Sequence, residues 1–378
     1  RLRGILSDDA TLMEVIVGEL EEIRDQYANP RRTQITGEIG VYTEEDLIRE
    51  EEVVVTFSHS GYVKRTPVTE YRAQNRGGRG VTGVDTKAED FVERLFVAST
   101  HAYLLVFTNL GRVYWVKVFS LPQGGRNARG KPLVNIVQMD QDEKVQAILP
   151  VREFTQGAFV VTCSRNGTVK KTALTDYSRP RATGIIGAGI AEGDELIAAA
   201  IATDENDVLL ATRHGMAIRF RAAELRPMGR PSVGVRGIKL SSEDQVVGMS
   251  VLDSGSSILT VTENGFGKRT PTEDYRSQGR GGRGIILAKV NDRNGAVVGI
   301  RQVFDGDHVM LITNRGVIIR MAVGNISSMG RNTQGVRVVR VDSEDRVSAL
   351  CNVADSEGDE ETTAPVETAD VADAPEDA

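Results

Sequence analysis

The sequence predicts an all-β fold: a six-bladed, propeller-like domain of about four strands per blade, with a short N-terminal helix before it and a disordered acidic tail after it. Three observations carry this reading. A Ser or Thr stands three residues ahead of a turn glycine six times, at Ser58/Gly61, Thr108/Gly111, Ser164/Gly167, Thr212/Gly215, Thr262/Gly265 and Thr313/Gly316, and these glycines are 50, 56, 48, 50 and 51 residues apart. Short apolar runs flank each turn, for example residues 53–57 and 62–66, or 309–312 and 317–321, and two more runs per unit, such as 187–190 and 196–201, complete a set of four. No convincing helical periodicity lies between them. A unit that recurs at this period and holds only strands has the character of a propeller blade, whereas solenoid coils of that length would be unusually long.

In chain order, residues 7–28 read as a helix. Ser7 is placed to cap it, Asp8 and Asp9 fall in its first turn, and Leu12, Val15, Ile16, Leu20, Ile23 and Tyr27 form an apolar stripe that Pro30 ends. Residues 29–37, with Arg31 and Arg32, read as a linker. Three segments follow from this: 1–37 as terminal helix and linker, 38–353 as the bladed domain, and 354–378 as the acidic tail, whose composition is that of a disordered segment. Within the blades, Asn166-Gly167 and Asn264-Gly265 signal tight two-residue hairpin turns.

The net charge of -7 conceals a polarised chain. Residues 1–50 hold 6 basic and 12 acidic side chains, residues 355–378 none and 10, and the body between them 40 and 31. A basic body with an acidic end suits a polyanion binder that carries its own competitor.

One loop concentrates that charge. Gln74-Asn75-Arg76-Gly77-Gly78-Arg79-Gly80 returns as Gln278-Gly279-Arg280-Gly281-Gly282-Arg283-Gly284, each copy beginning 13 residues after its turn glycine and preceded by Thr-Pro (Thr66-Pro67, Thr270-Pro271) and Tyr-Arg (Tyr71-Arg72, Tyr275-Arg276). Such a loop builds no core, but it turns tightly and presents permanent guanidinium charge beside free amides, a match for phosphates. The basic residues also follow the repeat. Four positions after the turn glycines stand Arg65, Trp115, Lys171, Arg219, Arg269 and Arg320, and three positions after them Lys64, Lys170 and Lys268 make the odd units doubly basic. Further arginines occupy the loops matching the opening motif, at Arg126 and Arg129, Arg179 and Arg181, Arg230 and Arg236, and Arg331 and Arg337. The expectation is a basic band around the ring.

Other chemistries are excluded on their own terms. Gly78 to Gly83 spells a dinucleotide fingerprint, but no helix pattern follows it and the second copy has Leu287 in place of the third glycine. No Walker-type phosphate loop or nucleophile elbow occurs. His59, His101, His214 and His308 stand singly, and Cys163 and Cys351 are too few for a disulfide framework, which suggests a reducing compartment. No apolar run reaches membrane-spanning length and no signal pattern opens the chain, so the expected location is cytoplasmic.

The motif Q-x-R-G-G-R-G resembles the signature box of the C-terminal domains of DNA gyrase A proteins, which belong to bacterial type IIA topoisomerases. The likeness covers nearly the whole chain. The helix around Leu12 to Ile16 with Arg31-Arg32-Thr33 is similar to the end of that family's breakage-reunion domain, and residues 38–353 to its six-bladed β-pinwheel, in which neighbouring blades exchange strands. Arg79 stands where a lysine is also common, and a second box in the fifth unit is not found throughout the family. The resemblance implies that duplex DNA wraps on the outer rim, with Gln74, Arg76, Gly77, Gly78, Arg79 and Gly80 essential, so that the holoenzyme introduces negative supercoils with ATP. It further implies no catalysis by this domain alone, ATP and Mg2+ acting elsewhere in the holoenzyme, partnership with the gyrase B protein and a second gyrase A protein through other parts, no membrane association, and a monomeric fragment. Two other readings stand beside it: the equivalent domain of topoisomerase IV, serving relaxation and decatenation, and a propeller scaffold for proteins, which an apolar or acidic rim would favour.

Overall fold

The computed structural model describes residues 2–29, 33, 44–58, 60–68, 92–125, 128–140, 142–315, 317–341 and 345–353. The chain divides into two compact units, residues 1–47 and 48–378. The 37/38 boundary expected from sequence and the tail from 354 onward lie outside the described residues.

In the first unit, α1 (Leu2–Ser7) is followed by α2 (Asp9–Tyr27). The cap is Asp8 rather than Ser7: its carboxylate accepts from the backbone N–H of Ala10 and Thr11. Those bonds, with one from the Thr11 hydroxyl, favour the charged form and hold the Asp8 carboxyl below its ordinary pKa. Leu20, Ile23 and Tyr27 of the predicted stripe are exposed.

Among the described residues the second unit is all β apart from short 3-10 turns. With strands numbered in chain order, six hairpins form its framework: β1 (Glu52–Ser58) with β2 (Tyr62–Pro67), β4 (Tyr103–Thr108) with β5 (Arg112–Lys117), β8 (Phe159–Ser164) with β9 (Thr168–Ala173), β12 (Asp207–Thr212) with β13 (Met216–Arg221), β16 (Ser257–Thr262) with β17 (Phe266–Pro271), and β20 (His308–Thr313) with β21 (Ile318–Ala322). On one side of each hairpin an inner strand pairs with its first member. These are β3 (Val92–Ser99), β7 (Val145–Val151), β11 (Leu196–Ala202), β15 (Val246–Leu252), β19 (Val297–Val303) and β23 (Val347–Val353). From β7 onward the inner strands neighbour one another in succession, and β23 lies beside β3.

The outer strands are only two residues long and come from the following repeat. β6 (Lys131–Pro132), β10 (Ile185–Ile186), β14 (Val235–Arg236), β18 (Ile285–Ile286) and β22 (Val336–Arg337) pair with β2, β5, β9, β13 and β17 respectively. Repeats two to six thus each reach back to complete the sheet before them. The sixth sheet has three strands among the described residues.

The Ser/Thr-to-glycine motif is the hairpin turn. The glycine N–H donates to the carbonyl of the Ser or Thr three residues earlier, at Gly61, Gly111, Gly167, Gly215 and Gly265. The Ser58, Ser164, Thr212 and Thr313 hydroxyls accept from the backbone N–H four residues on. Each of the five glycines has positive φ, between 76° and 81°, while Asn166 and Asn264 do not. The turns are therefore not the two-residue type read from Asn-Gly, which needs positive φ at both central residues, but longer ones closed by a left-handed glycine.

Each middle strand is buried on both faces, which is why it reads as a continuous apolar run rather than an alternating one. Val208 and Leu210 of β12 join a cluster with Val161, Ile218 and Phe220, whereas Leu209 and Ala211 join the next cluster with Ile258 and Tyr275. Five such clusters fill the spaces between successive sheets. Full burial of a Leu or Phe side chain stabilises by about 1.5–3 kcal/mol, so the sheets are held face to face by their alternate side chains.

Candidate nucleic-acid interface

After the second to sixth hairpins the chain makes a 3-10 turn, runs along the outer edge of the preceding sheet, and enters the short outer strand. Parallel bridges mark this path at Arg65/Gln123, Lys171/Pro227, Arg219/Ser277 and Arg269/Ser328. A glycine closes the loop. Gly130, Gly184, Gly234, Gly284 and Gly335 have φ between 66° and 111°, and a Cβ on Gly284 would lie 2.3 Å from Ala217 O. The last glycine of the second box is thus required by packing against β13.

The predicted strand lysines are not on the surface. Lys64, Lys170, Lys171 and Lys268 are each 1% exposed. Lys64 Nζ donates to Gly125 O at 3.1 Å; Lys170 Nζ donates to Gly187 O at 3.2 Å and to Arg230 O. Lys268 Nζ donates to Gly330 O at 3.0 Å, to Arg331 O, and to Thr333 O and Oγ1 at 3.3 and 3.2 Å. Burial, and the neighbouring charge of Arg230 or Arg331, push Lys170 and Lys268 down to about 8, with Asp274 opposing the shift at Lys268. The surrounding carbonyl oxygens favour the charged form, so both are ammonium ions at neutral pH.

The residues four positions after the turn glycine are also structural where the loop is described. Arg65 Nε donates to Leu121 O at 3.0 Å, Arg269 Nε to Ile326 O at 2.6 Å, and Arg219 Nη1 to Thr272 O and Tyr275 O at 2.7 and 3.1 Å. Arg219 also pairs with Asp207 at 2.6 Å, Arg269 with Asp305, and Lys171 with Asp204 at 2.5 Å and Ala222 O at 2.9 Å. Trp115 explains the position: its indole Nε1 donates to Tyr177 O at 2.8 Å, the counterpart of Tyr275 O. In the first five sheets one donor grips the 3-10 turn of the next repeat, and charge at that point is incidental to the grip. The expected band along the strands is corrected accordingly. Arg320 on β21 is exposed.

The exposed charge sits on the outer loops. Arg179 and Arg181 in the third repeat, Arg226 and Arg236 in the fourth, Arg276, Arg280 and Arg283 in the fifth, and Arg337 and Arg340 in the sixth are all exposed, while Arg230 and Arg331 are half-buried. In the second repeat Arg129 lies over the Tyr62 ring, 3.9 Å from its centre. Within the second box the Arg280 N–H donates to Glu224 Oε2 at 3.1 Å, and its side chain donates to Glu224 O and Arg236 O at 3.3 Å, while Arg283 projects from the surface. The first box, Gln74 to Gly80, and Arg126 lie outside the described residues. Arg226 and Arg276 were legible as candidates, since each follows a buried anchor, Leu225 or Tyr275, at the same offset from its turn glycine. Forked, permanently charged groups on successive loops suit an extended polyanion. Among the described residues no cluster of His, Cys, Asp or Glu could hold a metal ion, and no helix is long and apolar enough to cross a membrane.

Fold and surface define a six-bladed propeller with exchanged strands and arginine-bearing outer loops. The profile described as DNA gyrase C-terminal domain, beta-propeller, matches residues 52–99, 102–152, 158–203, 206–253, 256–303 and 307–350, one match per blade. The DNA gyrase A protein of Salmonella typhimurium is 47% identical over 353 residues, covering 93% of this chain and 40% of the relative; that of Staphylococcus aureus is 43% identical over 363 residues, covering 95% and 41%. The chain therefore belongs to the DNA gyrase C-terminal domain family, and it spans about two fifths of the length of those relatives. The crystal structure of the C-terminal domain of DNA topoisomerase IV superposes with a TM-score of 0.70 at 27% identity, covering 81% of this chain and 94% of that one. A DNA gyrase A C-terminal domain structure matches in fold with a TM-score of 0.64 at 24% identity, covering 80% and 100%.

Proposed function

We propose that residues 48–353 bind duplex DNA along the outer loops and wrap it, largely without regard to sequence, so that the enzyme containing them introduces negative supercoils with ATP. The observation that carries this reading is the recurrence of exposed arginines on the same loop of successive blades, with Arg276, Arg280 and Arg283 the densest group. Smooth bending of a short duplex through 40–90° costs on the order of 1–6 kcal/mol, and wrapping costs more, so many contacts must share it. Each arginine that neutralises a phosphate releases a counterion. At about two phosphates per blade, log K falls against log salt with a slope of roughly -11. Among the described residues of the bladed unit no helix is placed to enter a groove, which supports minor base readout. The gyrase B protein, a second gyrase A protein, ATP and Mg2+ enter at the level of the whole enzyme, and this domain by itself catalyses nothing.

The test is plasmid relaxation in the presence of the protein, followed by gel analysis of linking number. Wrapping shifts the topoisomer distribution; an unchanged distribution at saturating protein defeats the proposal. The topoisomerase IV likeness in fold supports a second reading, DNA binding for relaxation and decatenation. A duplex bound without any linking-number change would favour it.

A further inference from the structure

Three of the four buried lysines, Lys64, Lys170 and Lys268, occupy alternate sheets, and each meets the loop contributed by the next repeat. We infer that Lys170 and Lys268 are positioning residues for the Gly-Arg loops of the fourth and sixth repeats, each drawing the loop arginine's own carbonyl inward and so presenting Arg230 or Arg331 to a phosphate of duplex DNA. This rests on reading the outer loops as the DNA-binding surface.

The argument begins from cost. An ammonium 1% exposed is desolvated, and such a group is kept only where donors and acceptors are closely matched. Lys268 finds its acceptors in one particular loop and Lys170 divides its own between that loop and Gly187 O of its own repeat, and in both one accepting carbonyl is that of the loop arginine: Arg230 O for Lys170, Arg331 O for Lys268. Lys64 holds the second repeat's loop in the same way through Gly125 O. Fixing the carbonyl fixes the peptide plane that contains the arginine Cα, and so narrows the directions in which the side chain can leave the backbone. Both arginines are half-buried above the ammonium. At Arg331 one Nη1–H is committed to Ile286 O at 3.0 Å, which orients the rest of its planar fork. The even sheets carry Tyr114, Ile218 and Ile319 at the lysine position, and the second box packs over Ile218, with a Cβ on Gly282 falling 3.6 Å from Ile218 Cδ1. The loops therefore come in two kinds, latched on a buried cation or laid on an apolar or phenolic side chain.

Burial depresses both lysines first and the charge of Arg230 or Arg331 second; a phosphate at the arginine would offset that second cause, so DNA binding would take up protons around pH 8. The groups facing Lys170 are Arg230 from the loop and Tyr177, whose hydroxyl donates to Gly187 O at 2.9 Å; those facing Lys268 are Arg331 from the loop and Asp274 from its own repeat. Linkage then requires affinity to fall as pH rises through about 8.

The experiment measures binding of a fluorescent duplex by the whole chain, across salt and between about pH 7 and pH 9.5, for wild type, Lys170→Met/Lys268→Met and Arg230→Ala/Arg331→Ala. The expected result is a roughly tenfold loss of affinity at neutral pH for the lysine variant, with the salt slope shallower by about two, one for each lost phosphate contact. Combining the two pairs of substitutions should add little to either. Should the lysine variant not fold, wild type and the arginine variant suffice: affinity falls with pH in the first and stays flat in the second. A folded lysine variant with wild-type affinity and slope, or a wild type whose affinity ignores pH, overturns the inference while leaving DNA binding intact. Failure of the wild type to bind overturns the underlying reading instead.

Discussion

At Trp115 an indole donates to Tyr177 O, and at Arg219 a guanidinium donates to Tyr275 O. The shared acceptor shows that a basic residue in register is not by itself a surface charge. Two substitutions separate the roles. Arg219→Ala removes donors to Thr272 O and Tyr275 O and leaves Asp207 without its closest cation, so it should lower stability by about 1–3 kcal/mol in urea titration. Arg283→Ala removes an exposed group and should leave the urea midpoint in place while weakening duplex binding and reducing the salt slope by about one. The buried lysines add a signature in pH. Lys170 and Lys268 sit near 8 in the folded chain and near the ordinary 10.4 when unfolded, so between those values the unfolded chain holds more protons and unfolding free energy rises with pH. Urea midpoints measured from about pH 7 to pH 10 should be flat at first and then climb, and Lys170→Met/Lys268→Met should remove the climb. Stability and DNA affinity then move in opposite directions over the same interval.

At the scale of the element, the repeating unit is a hairpin with its turn glycine, an inner strand, and a loop that ends in a two-residue strand on the preceding sheet. The turn was legible because Ser/Thr and glycine are tied by one hydrogen bond at a fixed spacing, and the middle strands because burial on both faces makes them uniformly apolar. The outer strands were not, since two residues carry no periodicity and their pairing lies in another repeat. The same non-locality hid the fate of the lysines: Lys268 reads as a surface charge until Gly330 and Arg331, more than sixty residues away, are seen to surround it. The closing glycines follow from this exchange. Gly284→Ala would place a methyl 2.3 Å from Ala217 O at a φ of 76°, so it should destabilise by at least about 1–3 kcal/mol and loosen β18 from β13. Hydrogen exchange at Leu287 and Ala288, whose N–H groups both donate to Gly215 O, reads that loosening directly. Leu210→Ala, between the third and fourth sheets, should cost about 2–5 kcal/mol without altering the salt slope of the folded protein.

Across the whole molecule, charge is arranged against its own sum. Residues 51–354 carry 40 basic and 31 acidic side chains, yet the chain as a whole is at -7 because residues 1–50 and 355–378 are acidic. Much of the basic excess is spent internally, on Lys64, Lys170, Lys171, Lys268 and the turn-gripping arginines, and the remainder faces outward on the loops. Residues 355–378 carry 10 carboxylates and no cation, and covalent attachment would give such a stretch an effective concentration in roughly the millimolar range. It should compete with DNA wherever charge, rather than shape, supplies the binding energy. Deleting residues 355–378 should therefore tighten duplex binding at low ionic strength, and the gain should shrink as added salt screens the competitor as well as the DNA. Equal affinities of the full and shortened chains at the lowest salt would assign the acidic end to solubility alone, and would leave the outer arginines unopposed in their contest for phosphate.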